Sequence, residues 1–229
     1  MDLATRCEDD VVLVSPVGRL DLSTYVALRD GLLKQVAEQP PAVVVELTAA
    51  FEIGSDTLAS VFATVWLRIA PWSGVRLALV PATVRHQRML ARTGVARFVP
   101  TYRSVADALS SPRERCRDEI QLPRDHTAAG MARQFVLRAC DNWSVQPAAV
   151  RAVLIAGELV ENVMKHTRSA PTLRIERFPR HLAVAVRDGE PWRDGPPARG
   201  AALFDRLAGA WGHNTTLNGG KLVWATVAL

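Results

Sequence analysis

Lysine is nearly missing from this 229-residue chain. Lys34, Lys165 and Lys221 are the only three, so the net charge of +5 is carried almost wholly by arginine. The arginines are spread along the chain, with one modest run at Arg113, Arg115 and Arg117, and are not interleaved with aromatics. That pattern argues against a nucleic-acid-binding stripe. Cysteine is sparse as well. Cys7, Cys116 and Cys140 are scattered with no CxxC pair, and the five histidines form no HExxH or comparable spacing. Reduced thiols are therefore expected, and neither a disulfide framework nor a zinc site. No apolar run reaches the roughly 18 to 20 residues needed to cross a bilayer; the longest, Leu58 to Ala70, is broken at Arg68. The N-terminus, MDLATRCEDD, is acidic and lacks the apolar segment of a secretory signal. The expectation is a cytoplasmic protein with no membrane contact. A P-loop is missing too: Thr215 stands where its first glycine belongs ahead of Gly220-Lys221, and Leu222 where Ser or Thr should follow.

What is present is enough apolar material, 48% of residues, to bury a core in one large or two ordinary domains. Val11 to Val14 reads as a short strand, with Val17 to Leu20 returning after Pro16 as a hairpin. A helix follows to about Glu38 with Ser23 as its N-cap. Ala42 to Leu47 is a buried strand, Ser55 to Ala70 a helix, Val75 to Val80 a strand and Thr83 to Thr93 a helix. Phe98 to Pro100 reads as a short strand and Ser104 caps a last helix, Val105 to Leu109. Strands alternating with helices at this spacing predict a small α/β sheet domain. The polar, charged stretch Ser110 to Asp118 breaks the periodicity and marks a domain boundary.

Beyond it, Glu119 to Leu122 is a strand candidate and Thr127 to Asn142 a helix. A second, long helix starts near Ser144 and Pro147. It contains AGELVENVMKHT, in which Glu158, Asn162 and His166 recur every fourth residue. That spacing drifts by only roughly 40° per step on an α-helix, so the three form a polar stripe, with Val160, Val163 and Met164 turned to a core. Such a stripe lines a site or simply faces solvent. Glu161 and Lys165 read as a solvated i,i+4 pair. Thr172 to Arg177 and Leu182 to Arg187 are strands, Asp188 to Pro191 is a turn, Gly200 to Ala210 a helix, and Gly219-Gly220 turns into a last strand, Lys221 to Val227. Lys221 is left as a surface strand residue or a phosphate contact.

The strand-loop-helix of Val43 to Val61, taken with TGVARFVPTYRSVADAL (Thr93 to Leu109), resembles the STAS domain of anti-sigma-factor antagonists over residues 8–110. In that family the loop carries Asp-Ser-Ser-Gly-Leu, whose second Ser accepts phosphate. With the family Leu placed on Leu58, this chain reads Gly54-Ser55-Asp56-Thr57-Leu58, and Asp56 occupies the acceptor position. A carboxylate brings about −1 where phosphoserine brings about −1.5 to −2, at what reads as a helix N-terminus. Asp56 can thus imitate the phosphorylated loop, or it or Ser55 can simply cap the helix. Ser55 and Thr57 are the remaining hydroxyls for a register shifted by one.

The second half resembles the GHKL (Bergerat) ATPases, specifically the anti-sigma-factor serine kinases, over residues 118–229. The family's Glu-x-x-x-Asn-x-x-x-His is met by Glu158, Asn162 and His166, and its Asp in a turn after a strand by Asp188 in VRDGEP. ARGAALFDRL (Ala198 to Leu207) resembles its glycine loop and WG…GGKLVW its closing strand. The resemblance implies ATP and Mg²⁺ as cofactors. Asn162 would be the Mg²⁺ ligand, Glu158 the base, Asp188 the acceptor for the adenine amine, and His166, Gly189 and Gly200 part of the nucleotide site. The glycine loop is reduced to Arg199-Gly200-Ala201, leaving fewer backbone donors for a γ-phosphate.

The expected fold class is α/β and α+β: residues 1–110 a STAS-like α/β sheet domain, 111–118 a linker, and 119–229 a GHKL/Bergerat α/β sandwich. The paired resemblances imply a partner-switching transcription regulator of the stress-response type. Its expected partners are a sigma factor, STAS-domain antagonist proteins, or both, and the family also allows a dimer. ATP-dependent serine/threonine kinase activity is one implication. A non-catalytic protein-binding scaffold, with or without nucleotide, is the alternative that the short glycine loop favours.

Overall fold

The computed structural model describes residues 1–110, 116–192 and 201–229. They form two compact units, Met1–Ala70 with Gly74–Glu114, and Pro71–Ser73 with Arg115–Leu229. Each contains a sheet, and the molecule is of mixed α/β character.

In the first unit, β1 (Asp2–Glu8) runs antiparallel to β2 (Val11–Leu20) through a turn in which Asp9 and Asp10 both take positive φ, 49° and 64°. The expected hairpin after Pro16 does not form: β2 is continuous. Val12–Val14 pair with β3 (Ala42–Leu47) and Gly18–Leu20 with the short β4 (Phe51–Ile53), both in parallel. Pro16 falls between those two pairings, where that side of the strand needs no N–H. β3 in turn pairs in parallel with β5 (Arg76–Pro81), giving the order β1-β2-β3-β5 with β4 beside β2.

Helices cover this sheet, which is why AVVVEL in β3 is almost wholly apolar. α1 (Tyr25–Ala37) and α2 (Ser60–Ile69) pack on each other and bury Leu28, Leu32, Val36, Phe62, Val65 and Ile69. Ala42, Val44, Ala78 and Val80 form a second cluster with Ala108 of α4 (Val105–Ser110). α1 starts later than Ser23, and the Asp21 carboxylate, not a serine hydroxyl, accepts the Ser23 and Thr24 N–H groups. The stretch read as one helix from Ser55 begins with a 3₁₀ turn, Asp56–Ala59, before α2. α3 (Val84–Thr93) starts on Thr83, whose hydroxyl accepts from His86 N. Phe98 to Pro100 is not a strand: a 3₁₀ turn, Val95–Arg97, leads into a single bridge between Leu79 and Thr101.

The second unit has, among the described residues, an antiparallel sheet in the order β6-β7-β8-β10-β9. The strands are β6 (Cys116–Gln121), β7 (Thr172–Arg177), β8 (His181–Asp188), β9 (Ala210–Thr215) and β10 (Lys221–Ala228). Two helices, α5 (Ala128–Asn142) and α6 (Gln146–His166), pack together on one face, with Pro147 in the first turn of α6. Their small side chains (Ala132, Ala139, Ala148, Ala152, Ala156) let them close onto Leu173, Ile175, Leu182, Val184 and Val186. The helix expected to run to Ala210 is the shorter α7 (Ala201–Leu207), and β9 takes up the chain after it. No described helix is long and apolar enough to cross a membrane.

All three thiols are free among the described residues. Cys140 on α5 is fully buried, and burial, followed by the neighbouring Asp141, pushes its thiol pKa up. Thiolate is the reactive form. Alkylation at neutral pH is therefore expected to modify exposed Cys7 and Cys116 and to spare Cys140 until denaturant is added, as read by intact-mass and peptide spectrometry.

Candidate functional site

The polar stripe of α6 is in place because its opposite side, Ala152, Ala156, Leu159, Val160 and Val163, is anchored in the core. Glu158 and Asn162 are half-buried, and Asn162 Nδ2 donates to Glu158 Oε1 at 3.2 Å. His166 is exposed at the end of the helix. Lys165 meets Glu161 at 2.9 Å on the solvated side, the pair expected from their spacing. The chain leaving α6 is then tied to the turn after β8. Gly189 N donates to Ser169 Oγ at 2.9 Å, and Arg168 N donates to the Glu190 carboxylate.

Asp188 sits at the head of that turn with no exposed side-chain surface. Its Oδ1 accepts from Glu190 N and from Lys221 Nζ, each at 2.9 Å. Nζ is also 2.9 Å from Oδ2 and reaches the Glu190 carbonyl at 3.3 Å. No group among the described residues donates a well-directed hydrogen bond to Oδ2, which is fully buried. Sheet register causes this pairing: Asp188 closes β8, Lys221 opens β10, and the two stand directly opposite. The β9–β10 turn makes it possible. Gly219 adopts φ +80°, and at Gly220 a Cβ would lie 2.3 Å from the Asp188 carbonyl oxygen, so only glycine lets β10 start there. Removing one partner of a buried ion pair typically costs about 3–5 kcal/mol, because the other charge is stranded.

Glu158 and Asn162 thus touch each other, and Asp188 and Gly189 form a separate cluster joined to the end of α6 through Ser169. Gly200 and Arg199 lie outside the described residues. Sequence reading missed Ser169, Glu190 and the role of Lys221. The first two carry no motif, and the third depends on which residues of β8 and β10 face each other.

In the first unit, Ser55, Asp56 and Thr57 are all exposed. Ser55 is extended and its side chain does not cap the following turn; its hydroxyl lies 3.0 Å from that of Thr57. Asp56 Oδ2 accepts from Arg92 Nε at 3.0 Å and Nη2 at 2.7 Å, a partner on α3 that nothing in the local sequence announces. Arginine suits carboxylate and phosphate alike. With side chains 49% and 63% exposed, however, this pair belongs to the class worth about 0–1 kcal/mol.

The STAS domain family model matches residues 2–108, a little under half of the chain, and ends before β6. Residues 2–108 are a STAS domain. An anti-sigma factor antagonist from Mycobacterium paratuberculosis is 28% identical, covering 49% of this chain and 94% of that one, with a TM-score of 0.41. The NMR structure of the protein TM1081 is 21% identical (47% and 85% covered, TM-score 0.42). SpoIIAA in its unphosphorylated form is 10% identical (47% and 93% covered, TM-score 0.34). No curated protein matches the chain.

Because the Asp56–Arg92 pair is solvated, Arg92→Ala is expected to lower the unfolding free energy by less than about 1 kcal/mol, and 1 M salt should erase the difference. Urea denaturation at low and high salt checks this.

Proposed function

With residues 2–108 a STAS domain, we propose that the chain is a partner-switching regulator in which that domain is fused to an ATP-binding module of the GHKL type. Sigma factors, STAS-domain antagonists or both are its partners. The observation that carries the reading is Asp188: a buried carboxylate at the head of a turn, whose Oδ2 receives no directed hydrogen bond among the described residues although the Lys221 ammonium lies 2.9 Å from it, has the chemistry to accept the exocyclic amine of a base. Support comes from Glu158 and Asn162 on the neighbouring helix. Mg²⁺ bound with a triphosphate takes most of its octahedral ligands from phosphates and water, so one carboxamide oxygen suffices. With Asn162 Nδ2 engaged by Glu158, Oδ1 would be the atom to hold the ion.

ATP, when bound, supplies the γ-phosphoryl group. Glu158, half-buried and accepting from Asn162 Nδ2, would take the proton of an acceptor hydroxyl whose oxygen would bond to the γ-phosphorus as the bond to the bridging oxygen breaks and ADP leaves. The acceptor is not the chain's own loop. Asp56 fills the acceptor position with a carboxylate already met by Arg92, which leaves the STAS domain in an arrangement imitating its phosphorylated form. The hydroxyl therefore comes from a separate STAS-domain protein. A second reading, a scaffold that transfers nothing, is favoured by the ammonium of Lys221 standing on Asp188.

The two are separated by measuring MgATP binding and phosphate transfer to isolated STAS-domain proteins. The kinase reading expects Mg²⁺-dependent binding that Asn162→Ala abolishes, and transfer that falls about 10²–10⁴-fold in Glu158→Gln while binding persists. Binding without transfer supports the scaffold. Phosphate on Ser55 or Thr57, found by mass spectrometry after incubation with ATP, contradicts the role given to Asp56.

A further inference from the structure

We propose that Lys221 is a displaceable stopper: its ammonium occupies the place in front of Asp188 where a base amine would donate, and nucleotide binds only when the side chain swings out. This rests on the reading above that Asp188 faces a nucleotide base.

Nζ lies at the same 2.9 Å from both carboxylate oxygens, so it stands in front of the group, midway between them. An exocyclic amine donating to the buried Oδ2 needs that same approach. The backbone of β10 cannot shift to make room, because Gly220 is packed against the Asp188 carbonyl, where even one added carbon would meet it at 2.3 Å. The cross-strand register Lys221↔Asp188 fixes the two Cα atoms opposite each other. What can move is the four-carbon stem of Lys221. Its side chain is 14% exposed whereas that of Asp188 is 0% exposed, so part of the lysine side chain already meets water and the carboxylate does not. Leaving also gives up the 3.3 Å contact with the Glu190 carbonyl. A neutral amine that replaces a cation recovers the hydrogen bond but not the charge. The closed state is therefore favoured without ligand, and apparent affinity falls in proportion to the fraction of molecules that are open. A site open in about one molecule in ten binds about tenfold more weakly than its intrinsic constant.

The test is the dissociation constant for MgATP, measured by calorimetry on the full chain and on Lys221→Met, Lys221→Arg and Asn162→Ala, with thermal melts of each. Lys221→Met, which keeps the stem and drops the charge, is expected to bind about tenfold more tightly than wild type, and Lys221→Arg no more tightly than wild type. Wild-type binding that Asn162→Ala weakens, with Lys221→Met equal to wild type or weaker, overturns the stopper and leaves the ATP-binding reading standing. No binding by any of the four overturns both. Should Lys221→Met fail to fold, amine labelling of the wild-type chain decides. Lys34 and Lys165 serve as internal references, and labelling at Lys221 should be slow and rise several-fold with saturating MgATP. Unchanged or slower labelling at Lys221 overturns the proposal.

Discussion

A carboxylate shut away from water has to be met by donors, and Asp188 is the place in this molecule where that requirement organises the surroundings. It draws the Glu190 N–H back into the turn and the Lys221 ammonium across from the neighbouring strand. The second of these works only because β8 and β10 are in the register that sets residues 188 and 221 opposite, and because two glycines let the β9–β10 turn close against the Asp188 backbone. The end of α6 is fastened to the same turn through Ser169. The helix carrying Glu158 and Asn162 and the strand ending in Asp188 are thereby held as one arrangement. Among the described residues Oδ2 receives no directed hydrogen bond, although the Lys221 ammonium lies 2.9 Å from it, and a ligand amine would supply one.

The first unit handles its acidic residue in the opposite way. Asp56 stands on the surface, its partner Arg92 is more than half exposed, and water competes for both. The pair contributes little to stability, and the loop presents a carboxylate held by a guanidinium. A surface pair of this kind is screened by salt and open to rearrangement by a partner.

Sequence alone made the apolar elements legible and hid the polar strands. β3 and β5, covered on both faces, show as unbroken apolar runs, and α6 shows by its 3.6-residue period. β1 and β9 were invisible because β1 is polar and exposed and the β9 segment AWGHNT shows no apolar alternation. The same division holds for the site. The Glu158–Asn162 contact follows from residues four apart on one helix. The Asp188–Lys221 and Asp56–Arg92 pairs join residues 33 and 36 positions apart, and only strand register and helix packing bring them together. Charge pairs of that range leave no trace in composition or local spacing.

The account turns on whether a nucleotide meets Asp188. The most direct measurement is a ¹H–¹⁵N correlation map of the uniformly labelled chain, recorded with and without saturating MgATP. The expected result is a compact set of shifted amides at Asp188, Gly189, Glu190 and Lys221, joined by Asn162 on α6. An unchanged map, or shifts confined to residues of the first unit, would contradict it.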